Sequence, residues 1–161
     1  ETGALLTNLA KVYSNRGNEE LSESTLWKAL EADPNQDNGL DWYAAIYHEK
    51  GGRKAYLDAF RRVNKIPQAW RPNLWLARES LENGNLQEAL EYYQQLFSIN
   101  KQPDAQTLQQ ISGDLGLKGY LKEATEIVEP KFNIHSHGLM VGNNLIKAYL
   151  DLKELENIIN R

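Results

Sequence analysis

The sequence predicts an all-α protein, an α-solenoid of stacked helix-turn-helix hairpins numbering about 4.5. Three observations predict it. Gly17, Gly51, Gly84 and Gly119 recur at intervals of 34, 33 and 35 residues, with Lys153 another 34 on. Apolar residues stand in fixed columns around these marks. Helix breakers stand between the hairpins that the columns define.

The leading helix of each hairpin shows in the residues before each mark. Eight before stand Leu9, Tyr43, Leu76, Ile111 and Leu145, and seven before stand Ala10, Ala44, Ala77, Ser112 and Ile146. Four before come Tyr13, Tyr47, Ser80, Leu115 and Tyr149, one helical step from the first column, so the three columns form one core stripe. The second helices show five after the marks, at Ser22, Tyr56, Ala89, Ala124 and Ile158, and nine after, at Leu26, Phe60, Tyr93 and Val128. A glycine at the joint suits the left-handed backbone that ends a helix. Lys153 breaks that pattern, and a fifth turn of different shape is expected there, followed by a short second helix over 154–161.

The connections are Asp33-Pro34-Asn35, Pro67 with Pro72, Asn100 to Pro103, and a long stretch from Pro130 through Phe132 and His135 to Gly138. Each ends or starts a helix. Pro72 falls in the first turn of a leading helix, where its missing N–H costs nothing. The repeats are therefore placed at about 4–36, 37–69, 70–104 and 105–138, with a partial repeat over 139–161, in a single domain spanning 4–161. Glu1-Thr2-Gly3 reads as a cloning remnant outside the fold. Leu155, Ile158 and Ile159 would lack a covering repeat, so the chain reads as a fragment of a longer protein or as one that packs its apolar end on a second copy, a homo-oligomer.

Composition narrows the function. The chain has 41% hydrophobic and 25% charged residues, ordinary for a folded soluble protein. Net charge is -4, and the excess acid lies in the C-terminal half, so the basic footprint of a nucleic-acid binder is missing. Cysteine is absent, which removes thiol chemistry and Cys-ligated zinc but does not decide between reducing and oxidising compartments. Fifteen asparagines include no N-x-Ser/Thr sequon, which fits a cytoplasmic or bacterial origin. No apolar run of membrane-spanning length is present, and no membrane insertion is expected.

Leu-Ala, a tyrosine three residues on, Gly-Asn, an alanine and a closing Asp-Pro-Asn together resemble the tetratricopeptide repeat. Leu9 to Asn35 and Leu76 to Leu96 carry the resemblance most fully, with Gly84-Asn85-Leu86-Gln87-Glu88-Ala89-Leu90 as its clearest run. The resemblance implies a right-handed solenoid whose first helices line a concave surface that holds a protein or peptide partner. Tyr56 departs from it, standing where the family favours alanine, and is expected to widen or turn the local packing.

On that implied surface nine before the marks lie Asn8, Trp42, Trp75, Gln110 and Asn144. Trp42 and Trp75 either form an aromatic platform or pack sideways between first helices as core. Arg71 and Arg78, seven apart, would grip a carboxylate together, with Asp41 beside them and Lys11 and Lys147 in the equivalent column of other repeats. The ordinary alternative is a solvated face with weak local ion pairs. Gln106, Gln109, Gln110, Asn143 and Asn144 would serve as an amide ladder for an extended backbone. The family's carboxylate clamp for chaperone tails maps to Thr7, Lys11, Trp42, Arg71 and Trp75, where only Lys11 and Arg71 carry suitable charge, so that activity is not expected.

Gly113 and Gly116 weaken their helix by about 1 kcal/mol each relative to alanine and are expected to serve close helix approach or groove width. His135 and His137 flank Ser136 without a cysteine or carboxylate beside them, which reads as a polar loop rather than a metal site. No nucleophile elbow or phosphate loop is present, and no cofactor, metal or enzymatic activity is expected within these residues. The expected role is a protein–protein interaction scaffold, the alternatives being a self-assembly module or the targeting region of a larger enzyme.

Overall fold

The computed structural model describes residues 2–159. In chain order these form α1 (Thr2–Asn15), α2 (Glu19–Ala32), α3 (Asp37–Val63), α4 (Pro72–Glu82), α5 (Leu86–Ile99), α6 (Ala105–Leu117), α7 (Leu121–Val128), a 3-10 turn (Glu129–Lys131) and α8 (Ile134–Ile159). The described residues contain no strand. The chain is a helical solenoid of helix-turn-helix repeats.

The joints follow from glycine chemistry. Gly17, Gly84 and Gly119 have φ of 74°, 75° and 80°. At each, the glycine N–H donates three residues back, to Ser14, Leu81 and Gly116 respectively. The next N–H donates five back, to Tyr13 at 3.0 Å, Ser80 at 2.8 Å and Leu115 at 3.0 Å. This Schellman pairing satisfies carbonyls that the ending helix leaves open. Asn18 and Asn85 then turn from closing one helix to capping the next, accepting from the N–H of Leu21 and of Glu88.

The second joint is built differently. Gly51 stays at negative φ, and Gly52 takes the left-handed backbone at φ 66° and ψ -157°, a combination essentially restricted to glycine. The break splits α3 into arms of residues 37–50 and 53–63. The expected fifth turn is absent: α8 stays helical through Lys153, its one departure being Gly138 at φ 69° and ψ -171°. Residues 150–159 hold no glycine or proline, so nothing there stops the helix. The long fourth connection carries a single helical turn over residues 134–137 and ends, where expected, at the break at Gly138. Asn160 and Arg161, the end of the expected second helix, lie outside the described residues, as does Glu1. Thr2 and Gly3 belong to α1, and Gly3 is buried against Asp33 and Gln36, so these two are part of the fold.

Contacts cluster into two compact units, one running as far as Ala77 and including Leu90–Ile99, the other comprising Arg78–Ala89 and Asn100 onward. The core of the first unit joins Ala10, Leu26, Leu30, Leu40, Tyr43, Ala44, Ala59, Phe60, Val63 and Leu76. Most are the column residues of the sequence. Tyr56, the departure from the family pattern, packs against this core edge-on to Phe60, ring centroids 4.9 Å apart, and edge-on to His48. In the second unit Leu108, Ile111 and Leu115 of α6, Ala124 and Val128 of α7, and Val141, Leu145 and Ala148 of α8 are buried.

Leu9 and Ile146 are exceptions to their columns, at 41% and 60% exposed. Leu5 and Val12 share the open surface of α1, and Leu139, Tyr149 and Leu150 that of α8. Among the described residues nothing covers these faces.

Candidate functional site

The ten residues proposed from the sequence divide between the units, Lys11, Asp41, Trp42, Arg71 and Trp75 in the first and Arg78, Gln109, Gln110, Asn143 and Lys147 in the second. In the first unit Lys11 and Asp41 are exposed, and both tryptophans are half-buried against the core. Trp75 stacks on Phe60 with centroids 5.8 Å apart and planes 26° from parallel. Each tryptophan is therefore packed on one side rather than standing free as a platform.

Arg71 is not an open cation. Its side chain is 12% exposed, and it pairs with Asp37 at 2.6 Å, donates from Nε to the Asn35 carbonyl at 2.6 Å, and lies over the Trp70 ring. The leading helix of the second repeat and the connection before it thus consume the charge expected to face a ligand. Desolvation, then the like charge of Asp37, holds the Asp41 carboxyl above its ordinary range, with Arg71 opposing. Thr7, in the place of a clamp residue, is buried and donates to the Gln36 side chain at 2.7 Å.

Arg78 is also engaged, its Nε 3.1 and 3.0 Å from the two oxygens of Asp114. Burial pushes the Asp114 carboxyl up, against the lowering hydrogen bond and charge of Arg78. The expected joint grip by Arg71 and Arg78 is corrected on both sides, because each has an acidic partner of its own one repeat away in sequence. The amide ladder is not continuous either. Asn144 donates to Ser112 at 3.1 Å, Gln109 and Asn143 are exposed, and the Gln110 side-chain nitrogen is buried without a partner.

What the second unit does hold is a cleft of about 280 Å³ bounded by α6, α7 and α8. Ser112, Gly113, Gly116 and Leu117 form its α6 side, and Asn144, Leu145, Lys147 and Asp151 its α8 side. A Cβ built at Gly113 or Gly116 would meet nothing within 4 Å. Close helix approach is therefore not what these glycines serve, since open space lies where a side chain would stand. Lys147 alone of the ten proposed residues lines this cleft. Asp151 and Leu117 were missed because neither belongs to a column counted from the marks. The glycine spacing, with Asn144 and Lys147 in their columns, was the signal that pointed here.

His137 has a structural role, with Nδ1 accepting from the Asn133 N–H at 2.8 Å and Nε2 2.9 Å from the Pro103 carbonyl. The tautomer protonated at Nε2 satisfies both. Among the described residues no three His, Cys, Asp or Glu side chains converge as a metal site would require, and no helix is long and apolar enough to cross a membrane.

Helical hairpins, three of them closed by the same glycine motif and packed through their apolar stripes, define a repeat architecture. The model of the tetratricopeptide repeat matches residues 4–36 and 71–103, which supports the tetratricopeptide repeat family for these stretches. No curated protein matches it. Repeats of this family generally mediate protein–protein interaction and are typically non-catalytic.

Proposed function

We propose that the chain is a scaffold that holds a peptide or protein segment against its first helices, with the cleft over Gly113 and Gly116 as its principal seat. The observation that carries this reading is the unfilled space there. Two glycines inside a helix cost stability, and here the cost leaves an opening with apolar walls and polar ends at Asn144, Lys147 and Asp151. A segment entering it would bury an apolar side chain against Leu117 and Leu145 and meet charge of either sign on α8.

The test is a peptide-display selection on the intact chain, repeated on Gly113→Leu with Gly116→Leu. The filled variant is expected to be at least as stable, because leucine favours helix over glycine by up to about 1 kcal/mol per site. Selected peptides are expected to lose at least tenfold in affinity for it. Peptides that bind the filled variant unchanged would place the seat elsewhere.

A second reading rests on α8, whose Leu139, Ile146, Leu150, Ile158 and Ile159 are each more than half exposed. Such a surface suits association with a second copy. Sedimentation equilibrium over a hundredfold range of concentration separates the readings. A mass that rises and falls back with Ile146→Glu supports self-association, and a constant monomer mass removes it.

A further inference from the structure

The first unit carries a different cleft, built by second-helix residues and the connection after them. Trp27 and Glu31 of α2, Arg62 of α3, and Lys65, Ile66 and Pro67 enclose about 560 Å³. Its tryptophan is fixed in place. The indole stands 5.4 Å from the Tyr43 ring, and its Nε1–H donates to Glu31 at 2.9 Å.

Arg62 is held by its face rather than by its edge. The guanidinium lies 3.9 Å from the centroid of the Tyr47 ring and 5.5 Å from that of Tyr43. Tyr47 is itself anchored by donating to Glu23 at 2.5 Å, and Glu23 also pairs with Lys50. Burial would push the Glu23 carboxyl up, but hydrogen bonds from Lys50 and Tyr47 and the charges of Lys50 and Arg62 hold it below the usual range. Glu23 thus feels the charge of Arg62 while bonding to others. Among the described residues neither the Arg62 guanidinium nor the Lys65 ammonium has a hydrogen-bond or ion-pair acceptor. The one acid lining the cleft, Glu31, bonds the indole.

A stacked guanidinium keeps its five N–H donors in a rigid plane, so little freedom is lost when a carboxylate meets its edge. The other walls, Trp27, Ile66 and Pro67, are apolar. Two cations are too few to track a nucleic-acid backbone, and the chain's net charge of -4 opposes one. We propose that this cleft docks a protein segment in which an aspartate or glutamate stands beside a large apolar side chain. The carboxylate meets Arg62 and Lys65, and the apolar group lies against Trp27, Ile66 and Pro67.

The probe is a short acetylated and amidated peptide with aspartate followed by phenylalanine at its centre, titrated into the 15N-labelled chain. Saturable shifts are expected at the Trp27 indole N–H, the Arg62 Nε–H and the Ile66 amide. Changing the peptide's aspartate to asparagine is expected to weaken binding about tenfold. Arg62→Gln should do the same, and because Arg62 also packs on two tyrosines, Lys65→Glu provides a variant at an exposed position that is expected to weaken binding without lowering Tm. Absence of saturable shifts at these positions, equal affinity for the asparagine peptide, or unchanged affinity of a folded Lys65→Glu would each overturn the proposal.

Discussion

Phe60→Ala is expected to destabilise the protein by about 3–5 kcal/mol, the range for deleting a fully buried aromatic. Phe60 is 0% exposed and is the ring on which two others rest, Tyr56 edge-on at 4.9 Å and Trp75 stacked at 5.8 Å. Leu26, Leu30, Tyr43 and Val63 belong to the same cluster and sit on helices fixed by their own joints, so the space left behind cannot close easily. A loss of that size is a large part of the roughly 5–15 kcal/mol that holds a domain together. Urea unfolding, followed by tryptophan fluorescence, measures it. Phe60→Leu is expected to cost well under half as much, because most of the volume and all of the apolar character remain. An alanine variant within about 1 kcal/mol of the parent would show that the aromatic stack is not what binds the second arm of α3 to the core.

The register of that arm was legible although its turn was not. Counted from Gly51, Ala59, Phe60 and Val63 fall at the same offsets as Thr25, Leu26 and Ala29 counted from Gly17, and all six are buried. The left-handed residue is nevertheless Gly52, because two adjacent glycines are equally free to adopt it and periodicity does not choose between them. Lys153 shows the opposite case. The interval persisted while the residue type changed, and the helix ran through, since lysine has no reason to leave the right-handed region. A period predicts where a turn would fall, and the local chemistry decides whether it forms.

Candidate binding residues were less legible for a related reason. Column counting places Arg71 and Arg78 on one helical side, but it does not see Asp37 and Asp114, which lie a repeat away in sequence and take up the two charges. Gly113 and Gly116 were visible as unusual, yet whether small residues admit a neighbouring helix or leave a gap depends on what α8 does opposite them. Trp27 and Arg62 stood outside the first-helix columns and drew no attention. Their importance rests on stacking geometry that no spacing encodes.

The connections behave the same way, and Asn35 is the sharpest instance. In the sequence it closes Asp33-Pro34-Asn35 and marks the end of a helix. In the structure it ties that connection to the next, 33 to 36 residues on. Its Oδ1 accepts from the N–H groups of Trp70 at 2.7 Å and Arg71 at 3.0 Å, and its Nδ2 donates to the Gln68 carbonyl at 2.9 Å. Gln68 has φ of 67°, a left-handed backbone that a non-glycine residue adopts at a cost of about 1–2 kcal/mol. The three bonds offset that cost and hold Arg71 where it reaches Asp37. Asn35→Ala is therefore expected to lose about 2–3 kcal/mol, more than one ordinary hydrogen bond, because two amides lose their acceptor and the strain at Gln68 remains. Asn35→Asp keeps the acceptor and loses only the donor, so it should cost less than half as much. Gln68→Gly in the Asn35→Ala background should recover part of the loss, since glycine takes a left-handed backbone without strain. Hydrogen exchange at the Trp70 and Arg71 amides distinguishes this from general destabilisation. Their protection should fall further than that of Leu26 or Phe60 in Asn35→Ala, and equal losses throughout the unit would show that the asparagine does not hold the connection in place.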